Sequence, residues 1–179
     1  MVYILLAPGF EEAEALVPAD LLRRAGVNVS LVGVSGGAVI GGRGICVQCD
    51  CLLSDVDLDE ASMIMLPGGG VGVENLKHTP GVDTLVVEAA ERGLWVSAIC
   101  AAPTLLDGWG LLEGKKAVCY PTWADRMLDG EYCSGQKVVR DGKIITAQAA
   151  GAAYEFGLAL IEALVDEATA RRVAQEIYL

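Results

Sequence analysis

Histidine, positive charge and long apolar runs are what this 179-residue chain has least of, and each scarcity removes a class of function. The one histidine, His78, lies in the polar stretch Leu76-Lys77-His78-Thr79-Pro80, where an exposed, solvated ring is expected. Neither a Ser-His-Asp triad nor a histidine-based zinc site can be built around a single ring so placed. The 13 Lys and Arg stand against 24 Asp and Glu, for a net charge of -11. That surface repels phosphate backbones, which argues against nucleic-acid binding by simple electrostatics. The opening run Val2-Tyr3-Ile4-Leu5-Leu6-Ala7 has no basic leader and stops at Pro8-Gly9. It is too short for a signal-peptide core or a membrane span and reads as a buried strand. No later apolar run reaches spanning length without a charge or a breaker. A cytoplasmic protein with no membrane partner is expected.

What the chain does have is apolar mass. Hydrophobic residues make up 53% and charged residues 21%, enough to exclude disorder and build one domain over residues 1–179. The six cysteines are Cys46, Cys49, Cys51, Cys100, Cys119 and Cys133. Without a leader, reduced thiols are expected rather than disulfides. Cys49 and Cys51 are spaced too closely for ordinary zinc ligands. No metal and no cofactor is assigned. Strand alternation would instead place some of these thiols in the core and others outside.

The pattern alternates strand and helix. Strands are expected at 2–7, 28–34, 63–66, 95–99, 117–120 and 143–147, with a hairpin around Val39, Ile40 and Val47. Helices are expected over 11–24, 80–92, 101–106, 154–165 and 167–177, and the segment from Pro67 to Gly70 reads as a turn. Alternation of this kind predicts an α/β fold, a mostly parallel sheet with helices on both faces. Ligands in such sheets bind beyond the carboxyl ends of the strands. Three features fall there: Pro8-Gly9 with the acidic run after it, Pro67-Gly68-Gly69-Gly70, and Cys100.

Cys100 follows an apolar strand and precedes Ala101-Ala102-Pro103, small residues and a proline suited to a first helical turn. This is the logic of a nucleophile elbow. A helix N-terminus behind the sulfur predicts a lowered thiol pKa; the bland alternative is a buried structural cysteine. Glu14 is the second candidate: protonated, it donates to a thiolate or an oxidised sulfur; ionised, it accepts a proton. Glu11 and Glu12 read as solvated helix-capping acids. Gly69 and Gly70 let backbone approach a ligand closely, and the Gly68–Gly70 N–H groups could join that of Ala101 in an oxyanion hole.

Glu11-Glu12-Ala13-Glu14, Leu66-Pro67-Gly68-Gly69, Asn75-Leu76, Ala98-Ile99-Cys100-Ala101-Ala102-Pro103 and Tyr154-Glu155-Phe156 occur in the order found in the ThiJ/PfpI superfamily. More narrowly, the chain resembles its parkinsonism-associated deglycase branch, over nearly its whole length. The resemblance implies a flavodoxin-like fold and a homodimer with its interface near the active sites. It implies Cys100 as nucleophile, Glu14 as carboxylic partner, and the N–H groups of Gly69 and Ala101 as the oxyanion pocket. Arg24 and Arg43 match basic residues near the pocket or across the dimer. Family activities include oxidation of the cysteine to a sulfinic acid, glyoxalase or deglycase chemistry on 2-oxoaldehydes, and chaperone-like behaviour. Two departures stand out. The protease-like branch has a histidine directly after the cysteine, where this chain has Ala101, so no local Cys-His pair forms. The deglycase branch carries a histidine where this chain has Tyr120, which can donate a hydrogen bond but is a poor base at neutral pH.

Three readings stay open: a cofactor-independent enzyme acting on a small 2-oxoaldehyde through Cys100 and Glu14, a redox sensor in which Glu14 stabilises a Cys100 sulfinate, and a non-catalytic interaction protein with an inert thiol.

Overall fold

A computed structural model describes all residues, 1–179. Its strands are β1 (Val2–Leu6), β2 (Val29–Gly33), β3 (Ala38–Ile40), β4 (Cys46–Gln48), β5 (Cys51–Leu52), β6 (Met63–Leu66), β7 (Trp95–Ile99), β8 (Lys116–Ala117), β9 (Glu131–Tyr132), β10 (Val138–Asp141) and β11 (Ile144–Ala147). Its helices are α1 (Glu12–Arg24), α2 (Gly70–His78), α3 (Val82–Glu91), α4 (Pro103–Gly108), α5 (Ala153–Leu164) and α6 (Glu167–Glu176). Seven strands form one sheet in the order β10-β11-β7-β6-β1-β2-β5. Every pairing in it is parallel except the β10–β11 edge.

Continuous apolar strands produce this arrangement because both sheet faces are covered. On β1, Tyr3 and Leu5 enter one core with Val73 of α2, Val82 and Val86 of α3, and Leu105 and Leu106 of α4. Val2, Ile4 and Leu6 point the other way, into a core with Leu21 and Leu22 of α1, Phe156 and Leu160 of α5, and Val173 of α6. The expected α/β architecture with helices on both faces is therefore present. Strand order reverses at β1, between β2 and β6. The crevice at such a switch point is where this architecture places ligands.

Several local expectations need correction. The residues after Pro67-Gly68-Gly69 are not only a turn: α2 begins at Gly70 and runs to His78. Its glycines disfavour helix by propensity, but Gly72 lets the segment lie against Phe10, whose backbone a Cβ would meet at 2.7 Å, and Val73 and Leu76 are buried beneath it. His78, exposed as expected, is the last residue of that helix rather than part of a loop. The expected strand 117–120 is reduced to Lys116–Ala117. Val118 N–H donates to Thr146 Oγ1 and Tyr120 N–H donates to the Cys100 carbonyl, so the chain leaves the strand to wall the crevice. Edge strand β10 was not expected. Cys46 is exposed, Cys49 buried and Cys51 half-buried, as the alternation implies. No helix is long and apolar enough to cross a membrane.

Candidate active site

Beyond the carboxyl ends of β1, β6, β7 and β11 lies a cavity of about 340 Å³. Cys100 follows β7 directly and has φ +66°, one of only two non-glycine residues with positive φ. A left-handed conformation for a side-chain-bearing residue costs free energy and persists only where surroundings enforce it. Two hydrogen bonds do so here: Cys100 N–H donates to Ala147 O at 2.9 Å, and Tyr120 N–H donates to Cys100 O at 2.7 Å. The half-buried thiol thus stands at the mouth of the kink instead of entering the sheet.

Glu14, in the first turn of α1, is 1% exposed and faces Cys100 across Gly68, close enough for the two groups to shift each other's titration. Its Oε2 accepts Gly68 N–H at 2.9 Å. Gly68 must be glycine: a Cβ there would lie 2.4 Å from Glu14 Oε2 and 2.5 Å from Cys100 Cβ. The backbone N–H groups of Gly69 and Ala101 lie near enough to the sulfur to favour its charged form. Gly69 holds φ +89°, and a Cβ on it would strike the Gly9 carbonyl at 2.5 Å. Two backbone N–H groups and one carboxyl therefore surround the cavity beside the sulfur, an arrangement suited to charge developing on an attacked carbonyl oxygen or on an oxidised sulfur.

Electrostatics overturn one expectation. Burial, then the Glu14 carboxylate, push the Cys100 thiol up to about 12, against the opposing pull of the Gly69 and Ala101 N–H groups. The expected depression is outweighed by burial of the thiol and by the Glu14 charge beside it. Burial raises Glu14 to about 7, with the Glu11 charge adding to it and the hydrogen bonds from Cys100, Gly68 and Ala150 opposing it. The pair therefore rests at neutral pH as a thiol beside a carboxyl poised to exchange its proton.

Among the other expected site residues, Gly70, Tyr120 and Arg43 do line the cavity. Arg43 reaches it from the turn between β3 and β4, with its guanidinium 3.7 Å from the Glu11 carboxylate. Arg24 does not. It lies in the last turn of α1, bonded to Asp20 at 2.8 Å, because a 13-residue helix carries that turn well away from Glu14. Glu12, expected to be solvated, is buried: its Oε1 accepts the N–H of Arg43 at 2.8 Å and of Ile45 at 3.3 Å, fastening the turn that carries Arg43. Trp123 and the small residues 149–151 also line the cavity and were not anticipated. Ala149-Ala150-Gly151 follows a strand end, a signal the sequence carried.

A doubly covered parallel sheet with a cysteine at a strained strand-to-helix kink defines a class of α/β proteins, and the comparisons fix the family. The DJ-1/PfpI family model matches residues 1–163, and the chain belongs to that family. Protein dj-1beta of Drosophila melanogaster is 36% identical over 174 residues, covering 96% of this chain and 93% of the relative. Its crystal structure superposes with a TM-score of 0.96, at 35% identity over 99% of this chain and 97% of that one. A Caenorhabditis elegans relative named glutathione-independent glyoxalase DJR-1.2 is 34% identical over 163 residues, covering 90% of this chain and 87% of the relative. The structure of oxidised Toxoplasma gondii DJ-1 matches with a TM-score of 0.92, at 34% identity over 99% of this chain and 97% of that one.

Proposed function

We propose that the protein is a cofactor-independent, cysteine-dependent glyoxalase/deglycase-type enzyme that converts small 2-oxoaldehydes such as methylglyoxal to 2-hydroxy acids. The observation that carries this reading is the meeting of the Glu14 carboxyl and Cys100 across Gly68, in one cavity with the backbone of Gly69 and Ala101. The relative named as a glyoxalase supports it. Cys100 sulfur adds to the aldehyde carbon as its proton passes to the Glu14 carboxylate. The new oxyanion faces the Gly69 and Ala101 N–H groups and takes that proton to give a hemithioacetal. Glu14 then removes the proton from the former aldehyde carbon and delivers it to the adjacent carbonyl carbon, while the hydroxyl proton moves to the second oxygen. The first carbon is oxidised and the second reduced within one molecule, giving a 2-hydroxyacyl thioester. Water hydrolyses it, releasing lactate and restoring the thiol. Tyr120 lines the same cavity and is suited to donate to the second oxygen, not to act as base. The test is lactate formation from methylglyoxal: Cys100→Ser abolishes it in this account, and equal rates for the variant and the wild type would end the reading.

A second reading has support of its own. A carboxyl half-protonated near pH 7 can donate to a Cys100 sulfinate while the two N–H groups hold its oxygens, and one matching DJ-1 structure is described as oxidised. Under mild peroxide, mass spectrometry should find two added oxygens on Cys100 ahead of the other thiols; equal oxidation of all six thiols counts against this.

The proposal extends to a cytoplasmic homodimer. Ile40 and Ile45, 58% and 53% exposed, flank the turn that carries Arg43 into the cavity. Their apolar surface suits contact with a second copy. A monomeric mass by light scattering would remove the dimer from the account.

A further inference from the structure

Trp123 is shared by two recesses. On one side it lines the Cys100 cavity; on the other it lines a neighbouring recess of about 240 Å³. Its ring atom Cζ2 comes within 3.7 Å of the position a Cβ on Gly70 would occupy, so the indole stands at the rim of the catalytic cavity as a partition. The second recess presents two cations, Lys77 from α2 and Arg126, whose guanidinium lies 3.8 Å above the Trp123 ring.

The recess holds unpaired positive charge on an acidic molecule. Net charge is -11, and Arg23, Arg24, Arg43, Arg92, Lys137, Arg171 and Arg172 all pair with carboxylates. Six basic residues pair with none: Lys115, Lys116, Arg140 and Lys143 elsewhere, and Lys77 and Arg126, both exposed, which this recess brings together beside the Cys100 cavity. The one acid lining the recess, Glu74, turns toward His78, 4.0 Å away. A stacked arginine keeps its donors free at its edge, suited to a carboxylate or phosphate.

The wall is also held in place. The segment Pro121–Arg126 is tied at its start by Tyr120 N–H to Cys100 O at 2.7 Å. Just past its end, the buried Asp107 carboxylate collects the N–H groups of Leu128 at 2.7 Å, Asp129 at 3.3 Å and Gly130 at 2.8 Å. Asp107 belongs to α4, the helix that follows Cys100, so the cation-bearing wall and the nucleophile are mounted on one unit.

We propose that this recess is an anion subsite extending the catalytic cavity, and that the preferred substrates are 2-oxoaldehydes whose far end bears a carboxylate or phosphate. The aldehyde sits at Cys100, the body of the substrate passes the Trp123 edge, and its anionic end meets Lys77 and Arg126. The inference rests on the 2-oxoaldehyde reading above for the chemistry, but its binding test does not depend on turnover.

The test compares 4-carboxyphenylglyoxal with phenylglyoxal, identical except for the distal charge. Both are titrated into Cys100→Ser, where no thiohemiacetal forms, with Trp fluorescence as readout, and into the same protein carrying Lys77→Gln and Arg126→Gln. The carboxylate compound should bind about tenfold tighter than phenylglyoxal, the scale of two partly exposed ion pairs. That preference should vanish in the doubly neutralised protein and weaken in 0.5 M salt. Equal binding of both compounds, or a preference surviving the double substitution, overturns the subsite. In the wild-type enzyme the ratio of kcat/KM for the two compounds should follow the same pattern. If methylglyoxal yields no lactate while the binding preference persists, the enzyme reading fails and the anion subsite stands.

Discussion

Replacing Glu14 with Gln should make the protein more stable at alkaline pH while removing its proposed base. Glu14 is almost wholly buried, and burial lifts its pKa from 4.5 to about 7. The native state therefore binds a proton there that the unfolded chain has already released between those values. Stability from this group is fully present below 4.5 and is lost as pH rises through about 7. At about 1.4 kcal/mol per pKa unit, the loss amounts to about 3 kcal/mol above pH 8. Gln cannot ionise, and its carbonyl oxygen can still accept Gly68 N–H, a bond of 2.9 Å in the wild type. Acids such as Glu12, Glu155 and Asp166, whose pKa values are lowered, give stability with the opposite pH dependence. They are common to both proteins and cancel in the difference. Denaturant unfolding of wild type and Glu14→Gln at pH 5 and pH 8.5 measures that difference. It should shift by about 3 kcal/mol in favour of the variant between the two. A difference that stays constant with pH would refute the claim that an ionisable carboxyl is buried beside the sulfur.

Three further outcomes follow from the same geometry. Because Cys100 holds φ +66°, Cys100→Gly should be about 1 kcal/mol more stable than Cys100→Ala by thermal unfolding, reversing the usual order of the two residues. Gly68→Ala puts a methyl 2.5 Å from Cys100 Cβ and 2.9 Å from Ile99 O; it should cost about 2 kcal/mol in denaturant titration and abolish selective Cys100 alkylation. Asp107→Ala strands the three N–H groups of Leu128, Asp129 and Gly130, and should lower unfolding free energy by about 3 kcal/mol, with Asp107→Asn recovering part of it.

The sheet was legible because its strands announce themselves. Val2–Leu6, Met63–Leu66 and Trp95–Ile99 are unbroken short runs bounded by Pro or Gly, and all are buried end to end. Helix α2 was hidden because tertiary contact with Phe10 overrides the poor propensity of Gly70 and Gly72. Strand β10 had a readable signal: Asp141-Gly142 between Val138–Arg140 and Ile144 is a hairpin turn, and the two flanking segments pair antiparallel. At the site, Cys100, Glu14 and the glycines could be placed because strand ends in a parallel sheet converge. Arg24 does not line this chain's own cavity because the length of α1 carries it about ten residues beyond Glu14, which leaves the place across a dimer as the other position the resemblance implied. The direction of the Cys100 shift was also out of reach. It depends on burial and on how near the Glu14 charge lies, quantities that exist only once the chain is folded.

The central claim is that Cys100 and Glu14 are one proton-sharing unit. The measurement closest to it is the rate of iodoacetamide alkylation at Cys100, read by mass spectrometry of its peptide from pH 5 to pH 10, for wild type and for Glu14→Gln. With the neighbouring carboxylate holding the thiol up toward about 12, the wild-type rate should still be climbing at pH 10. Removing that charge should bring the rise to lower pH by at least about one unit. Superimposable profiles, or a wild-type rate already level by pH 7, would contradict the account.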